Sequence, residues 1–169
     1  QNADTLQVHS DIIPLHKNIV ISYNISAKEN DNLKQYYIGR VTDWGAVYHV
    51  NTKRRGNILS AATRTLGTYA ISKDDVPPTI IPVNFKDKQW ITNNKILSLK
   101  IDDAETGVDA YRATVNGKFI LMEYDYKTGV LTHDFEDGVV TDTENELKVI
   151  VTDNVGNSTT FEATFYRKS

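Results

Sequence analysis

The sequence predicts an all-β protein built from two tandem immunoglobulin-like β-sandwich domains. Two observations predict this fold class: short segments in which apolar and polar residues alternate between turn residues, and a diproline that interrupts the alternation near the middle of the chain. In the second half, roughly seven short strands recur at the 8–12-residue spacing of an immunoglobulin-like sandwich. No segment combines helical periodicity with caps at both ends.

The first half contains five predicted strands. They cover residues 19–25, 35–41, 46–51, 58–65 and 66–71. Asp43-Trp44-Gly45 separates the second strand from the third and predicts a hairpin turn, because glycine adopts positive φ without strain.

A stiff, polar joint follows. Lys73 to Pro78 combines charged residues with two prolines, which favour an extended connection over a strand. We therefore place the domain boundary here and predict domains at residues 1–74 and 75–169.

The second half repeats the β pattern. Its predicted strands cover residues 79–83, 95–101, 111–115, 118–124, 130–135, 146–152 and 159–166. Asn116-Gly117 predicts a tight type I′ hairpin. This hairpin leads us to expect Tyr111 and Met122 in the core, and Arg112 paired with Glu123 across the strands.

Composition excludes several classes of function. The 169 residues carry a net charge of −3, which lacks the basic footprint of a nucleic-acid-binding protein. The one basic cluster, Lys53-Arg54-Arg55, precedes Gly56 and is interpreted as a solvated turn.

With no cysteine there is no disulfide, no cysteine nucleophile and no thiolate metal site. No apolar run reaches the length of about 20 residues of a transmembrane helix. Because the chain begins at Gln1, we expect a processed protein or a fragment.

Catalytic patterns are weak, and we expect no enzyme activity in this chain. His133 and Asp137 form an H-x-x-x-D pattern, but four extended residues span about 13 Å, too far to share a zinc ion. No H-x-H, H-E-x-x-H or G-x-S-x-G motif accompanies it. The numerous acidic residues are typical of a solvent-facing side of strands.

Two acidic loops make calcium the one metal worth considering. The candidate ligands are Asp102, Asp103, Asp153 and Asn157, since calcium prefers oxygen ligands from converging loops. The alternative is structural: Asp153 and Asn157 cap a tight hairpin through side-chain hydrogen bonds, with Gly156 at positive φ.

Exposed aromatic rings are candidates for stacking on sugars. Trp44 in its turn and Tyr48 on the following strand are the candidate ligand-binding residues. The alternative places the Trp44 ring back over the end of the sandwich.

An ordered set of segments within residues 66–167 resembles the C-terminal accessory region of lysostaphin-like zinc peptidoglycan endopeptidases from Gram-negative bacteria. The matching segments are Leu66–Tyr69, Asp75–Ile80, Ser98–Asp103, Tyr111–Lys118, Leu121–Asp125, Val151–Asn157 and Phe161–Arg167. Residues 1–65 match more loosely. In that family the zinc ligands lie in a separate upstream domain, so the resemblance carries no catalytic residue over to this chain.

The resemblance implies a non-catalytic accessory or positioning module of an exported cell-wall hydrolase. Such a module would lie in the periplasm, at the outer membrane or on the cell surface, and would contact peptidoglycan, another glycan or an upstream catalytic domain. Two alternatives stay open: a dedicated glycan-binding module, and a surface adhesin made rigid by calcium.

Overall fold

The computed structural model describes residues 5–10, 13–26 and 32–168, and its described residues form strands, turns and two short 3₁₀ helices. The chain divides into two compact units. The first is Gln1–Val76 with Asn154–Gly156, and the second is Pro77–Asp153 with Asn157–Ser169. We call them the N-terminal and C-terminal domains and describe each by itself.

The N-terminal domain is a sandwich of two antiparallel sheets. Its strands are β1 (Thr5–Val8), β2 (Ile19–Asn24), β3 (Tyr36–Val41), β4 (Val47–Val50), β5 (Thr52–Arg55), β6 (Ile58–Thr63) and β7 (Gly67–Lys73). One sheet has the order β1-β7-β3-β4, and the other has the order β2-β6-β5. A 3₁₀ turn at Leu33–Gln35 precedes β3.

The alternating pattern of the sequence puts one side of each sheet into the core. Ile21 on β2, Ile38 on β3 and Leu59 on β6 are at most 3% exposed. Tyr69 on β7 is fully buried, and its hydroxyl donates a 2.5 Å hydrogen bond to the Thr65 carbonyl. This bond back to the chain just upstream is a tyrosine corner, which fixes the entry into the strand.

The C-terminal domain contains nine strands. They are β8 (Thr79–Pro82), β9 (Gln89–Trp90), β10 (Ile96–Asp102), β11 (Val108–Val115), β12 (Lys118–Ile120), β13 (Glu123–Asp125), β14 (Val130–Asp134), β15 (Glu144–Asp153) and β16 (Ser158–Tyr166). One sheet has the order β13-β14-β10-β8, and the facing sheet has the order β12-β11-β15-β16-β9.

These two sheets have the strand order of an immunoglobulin domain, with β9 added in parallel to β16. The core lies between them and includes Leu99, Leu131, Val149 and Phe165, all with no measurable exposure. The predicted all-β fold of tandem sandwich domains is therefore confirmed.

The prediction of a single strand over residues 118–124 is wrong. The chain leaves the five-stranded sheet after Ile120 and enters the four-stranded sheet at Glu123, so the segment forms two strands, β12 and β13. Met122 is buried as expected, but Tyr111 is 37% exposed. The Tyr111 hydroxyl donates to the Met122 carbonyl at 3.3 Å. Because Arg112 and Glu123 belong to different sheets, they do not form the expected cross-strand pair.

The structure also places the basic cluster in a strand, whereas the sequence predicted a turn. Lys53, Arg54 and Arg55 lie in β5, and the reversal into β6 falls on the next two residues, where Gly56 has φ +60°. Alternation did not indicate this strand, because a strand at a sheet edge tolerates consecutive charged residues.

Candidate functional site

The most exposed large ring of the N-terminal domain is that of Trp44, at the tip of the β3–β4 hairpin. Thr42 closes this loop: its amide donates to the Ala46 carbonyl at 2.9 Å, and its hydroxyl accepts from the Ala46 amide at 3.0 Å. Gly45 turns the chain with φ +83°. The short closed loop leaves the Trp44 side chain 76% exposed, so the ring is presented to solvent.

Trp44 borders a groove of about 370 Å³ in the N-terminal domain. Gln7, Thr68 and Val41 form its floor, since they are register partners on β1, β7 and β3 and therefore share one face of the sheet. Arg40, Asp43, His9 and Ser10 add polar groups around the rim.

This groove combines an exposed aromatic face with hydrogen-bond donors and acceptors. A sugar presents the same two features, because its ring has an apolar face and its hydroxyl groups point outward. The arrangement can therefore hold a saccharide by stacking and by hydrogen bonds.

The second predicted ligand-binding residue, Tyr48, does not line this groove. Tyr48 is 58% exposed and pairs with Arg40 in the register of β3 and β4. Side chains alternate along β4, so Tyr48 points to the opposite side of the sheet from Val47 and its partner Val41. The structure therefore does not place Tyr48 in the groove that Trp44 borders.

Among the predicted calcium ligands, Asp103 and Asp153 come together. Each offers a carboxylate oxygen within 4.8 Å of the other. Asp103 accepts hydrogen bonds from the amides of Thr106 at 2.9 Å and Gly107 at 2.7 Å. These bonds hold the loop after β10 in place, so the carboxylate is fixed rather than free to turn away.

Asn157 serves as the partner of Asp153 in the β15–β16 hairpin. The Asp153 carboxylate accepts from the Asn157 amide at 2.8 Å and from its side-chain amide at 2.7 Å, and Gly156 has φ +92°. The structural alternative considered for these two residues is therefore present. Capping the turn does not remove Asp153 from the neighbourhood of Asp103.

Asp102 lies outside this pair of carboxylates. It is exposed at the end of β10 and lies near Tyr124. The pKa of the Tyr124 hydroxyl is raised, first by partial burial and then by the negative charge of Asp102.

The geometry expected at His133 and Asp137 is wrong. A 3₁₀ turn at Phe135–Asp137 follows β14 and brings the Asp137 carboxylate to 3.7 Å from His133 Nδ1. An extended chain would have separated them by about 13 Å. His133 is 1% exposed, and its Nδ1 donates to the Leu121 carbonyl at 3.0 Å. This nitrogen is therefore occupied, and the Asp137 side chain, which is 33% exposed, lies beside the buried imidazole.

Sequence reasoning missed an aromatic pair in the C-terminal domain. Trp90 and Tyr166 stack with ring centroids 5.3 Å apart and planes tilted by 31°. The parallel pairing of β9 with β16 brings them side by side. No local pattern predicts this contact, because the residues are far apart in the sequence and β9 has only two residues.

The fold defines the chain as a protein of two β-sandwich modules. Residues 1–74 are similar to the Zu5-like domain. No curated protein sequence matches the chain. None of the helices among the described residues is long and apolar enough to cross a membrane.

Three solved structures show likeness to the chain. An endo-beta-1,4-mannanase from Thermotoga petrophila is 13% identical with a TM-score of 0.45; 56% of this chain matches 20% of that protein. Fibronectin(III)-like modules of CbhA from Clostridium thermocellum are 12% identical with a TM-score of 0.43, covering 91% of this chain and 87% of theirs. The tandem Ig repeats of Dlar are 10% identical with a TM-score of 0.34, covering 91% and 90%.

Proposed function

We propose that this chain is a non-catalytic accessory module that holds bacterial cell-wall glycan for an exported hydrolase. The observation that carries the proposal is the groove beside Trp44, where a ring 76% exposed stands next to the polar residues of three neighbouring strands. The resemblance of residues 66–167 to the accessory region of lysostaphin-like endopeptidases supports the cell-wall context. The upstream catalytic domain would supply hydrolysis.

The groove suits an uncharged sugar better than a charged polymer. Arg40 and Asp43 give the rim one charge of each sign, so the site has no strong preference for an anion or a cation. Gln7, Ser10 and Thr68 are neutral groups that can exchange hydrogen bonds with hydroxyl groups. Stacking on Trp44 would supply the apolar contact, and the polar rim would orient the sugar.

The test is binding of the whole chain to purified peptidoglycan in a pelleting assay. We expect Trp44→Ala to weaken binding about tenfold, because the variant loses the stacking surface. Tyr126→Ala is the matched control, since Tyr126 is also 76% exposed but lies in the C-terminal domain. Equal binding by Trp44→Ala and the wild-type chain would contradict the proposed site. Release of soluble fragments from the peptidoglycan would contradict the non-catalytic role.

Calcium binding is a second proposal, and the distance between the carboxylates of Asp103 and Asp153 favours it. Two negative charges within 4.8 Å repel each other, and Asp153 is only 1% exposed. A calcium ion would relieve this repulsion and tie the two loops of the C-terminal domain together.

Thermal unfolding with calcium or with a chelator tests this second proposal. We expect millimolar calcium to raise the Tm of the wild-type chain by a few degrees, since an ion that binds only the folded state stabilises it. Asp103→Asn should abolish that increase, whereas Asp102→Asn should retain it. No calcium-dependent change in the wild-type chain would exclude the site.

A further inference from the structure

The stacked rings of Trp90 and Tyr166 form a platform at one edge of the five-stranded sheet in the C-terminal domain. Trp90 is 54% exposed, so about half of its side chain is available after stacking on Tyr166. Lys168 Nζ lies 6.0 Å from the centre of the Trp90 ring. The two rings lie outside the buried core cluster of the C-terminal domain.

A groove of about 400 Å³ lies on the same side of that sheet. Glu162 and Thr164 line it, and side chains two residues apart on a strand share a face, so Tyr166 continues the same row. Trp90 is the register partner of Tyr166 and joins this row from β9. Thr164 and Tyr166 are separated by about 7 Å along the strand.

The loop before β9 is held firmly against this groove. Asp87 lines the groove, and its carboxylate accepts a 2.8 Å hydrogen bond from the Thr164 amide. The Lys88 amide donates to the Thr164 carbonyl at 2.6 Å. The position of Trp90 relative to the groove is therefore fixed before any ligand arrives, which lowers the entropy lost on binding.

The charges in the groove select the kind of ligand. Lys148 and Glu162 form a 2.9 Å ion pair in which both side chains are solvent-exposed. The pair can therefore rearrange at a small cost in free energy. Asp87 and Glu146 add negative charge, which disfavours phosphate polymers and nucleic acid. Carboxylates also accept hydrogen bonds well from hydroxyl groups. The combination fits an uncharged, hydroxyl-rich ligand.

We propose that this face of the C-terminal domain is a second saccharide-binding site, in which one sugar stacks on Trp90 and the adjoining sugars lie along Thr164 and Glu162. The inference rests on the proposed function, because the occupant is the same class of glycan. Trp44 and Trp90 lie in different domains, and each is expected to make its own contribution to glycan binding.

The test compares Trp44→Ala, Trp90→Ala, the double variant and the Tyr126→Ala control in the whole chain. Each is titrated with soluble glycan strands released from peptidoglycan and stripped of peptides, and folding is checked by thermal unfolding. We expect each single Trp variant to lose about tenfold in affinity. The double variant should lose more than either single variant.

The outcomes separate the two proposals. Wild-type affinity in Trp90→Ala together with weakened binding in Trp44→Ala overturns the second site and leaves the proposed function standing. The reverse pattern supports the second site and contradicts the groove at Trp44. No binding of stripped glycan by the wild-type chain overturns both. If intact peptidoglycan binds while stripped strands do not, the ligand is the peptide and the saccharide site is wrong.

Discussion

The two domains share a sandwich architecture, but the C-terminal domain has the larger core and the more complete sheets. Among the described residues, sixteen buried apolar residues pack into one cluster in the C-terminal domain and six pack into one cluster in the N-terminal domain. In the C-terminal domain β8 pairs with β10, whereas in the N-terminal domain β1 pairs with β7 instead of β2. Of the strands that the structure describes, β2 therefore has only β6 as a neighbour.

This difference shows that the two domains bury different amounts of apolar surface. Buried apolar area is the main stabilising contribution in a sandwich, and the C-terminal domain has much more of it. The smaller core of the N-terminal domain includes hydrogen bonds made by two tyrosines. The Tyr23 hydroxyl donates to the Tyr69 carbonyl at 2.7 Å. The Tyr69 hydroxyl is hydrogen-bonded to the Thr65 carbonyl and to the Thr63 hydroxyl.

The largest effect should follow from removing a core aromatic of the C-terminal domain. Phe165 has no measurable exposure and packs against Phe135 with ring centroids 5.9 Å apart. We expect Phe165→Ala to lower the free energy of unfolding of this domain by about 3–5 kcal/mol. Urea unfolding followed by the fluorescence of Trp90, in a Trp44→Phe background, would measure it.

Phe119→Ala is the control for that experiment, since Phe119 belongs to the same sheet but is 59% exposed. It should change the unfolding free energy by less than about 1 kcal/mol. Similar losses in the two variants would mean that the sixteen-residue core is not what stabilises this domain.

A smaller effect should come from the tyrosine corner of the N-terminal domain. Tyr69→Phe removes the hydroxyl and leaves the Thr65 carbonyl without this bond, so we expect a loss of about 1–3 kcal/mol. Fluorescence of Trp44, in a Trp90→Phe background, reports unfolding of this domain. Tyr48→Phe is the matched control, because its hydroxyl belongs to a side chain 58% exposed. A loss confined to the C-terminal domain would contradict the role of Tyr69.

The smallest expected effect is a pH dependence of the Tm, which should distinguish the β13–β14 loop from the β3–β4 loop. Asp125 accepts from the Lys127 amide and the Thr128 hydroxyl, and these bonds lower its pKa. A lowered pKa stabilises the folded state above the ordinary pKa, and this contribution disappears as the pH falls through the folded value.

Asp125→Asn should therefore lower the Tm at pH 7, and the difference from wild type should shrink as the pH falls from about 5 to about 2. In the N-terminal domain the neutral Thr42 closes the β3–β4 loop, so Thr42→Val should lower the Tm by an amount that does not change over this range. A constant difference for Asp125→Asn would show that its carboxylate has no such role.

Much of the fold followed from local patterns. Alternation located Ile19–Asn24, Ile96–Asp102 and Ser158–Tyr166 to within a residue or two. Asn116 and Gly117 both have positive φ, as a type I′ turn requires. The division between Lys118–Ile120 and Glu123–Asp125 was not predictable, because alternation continues when a strand passes from one sheet to the other.

The candidate sites were less accessible to sequence reasoning. The sequence identified Trp44 as a turn residue, and hence as an exposed ring, but it could not show that Gln7 and Thr68 lie beside it. Asp103 and Asp153 are fifty residues apart in number, and only the packing of their loops brings the carboxylates together.

The sequence by itself determined the all-β class, most strands, the tight turns and the interruption at Pro77-Pro78, because these depend on neighbouring residues along the chain. The tertiary structure alone decided the stacking of Trp90 on Tyr166, the grooves on the two sheets and the contact between His133 and Asp137. These features depend on strand order, register and a single turn of 3₁₀ helix, which are fixed by packing between residues far apart in the sequence or by one turn that the alternating pattern does not indicate.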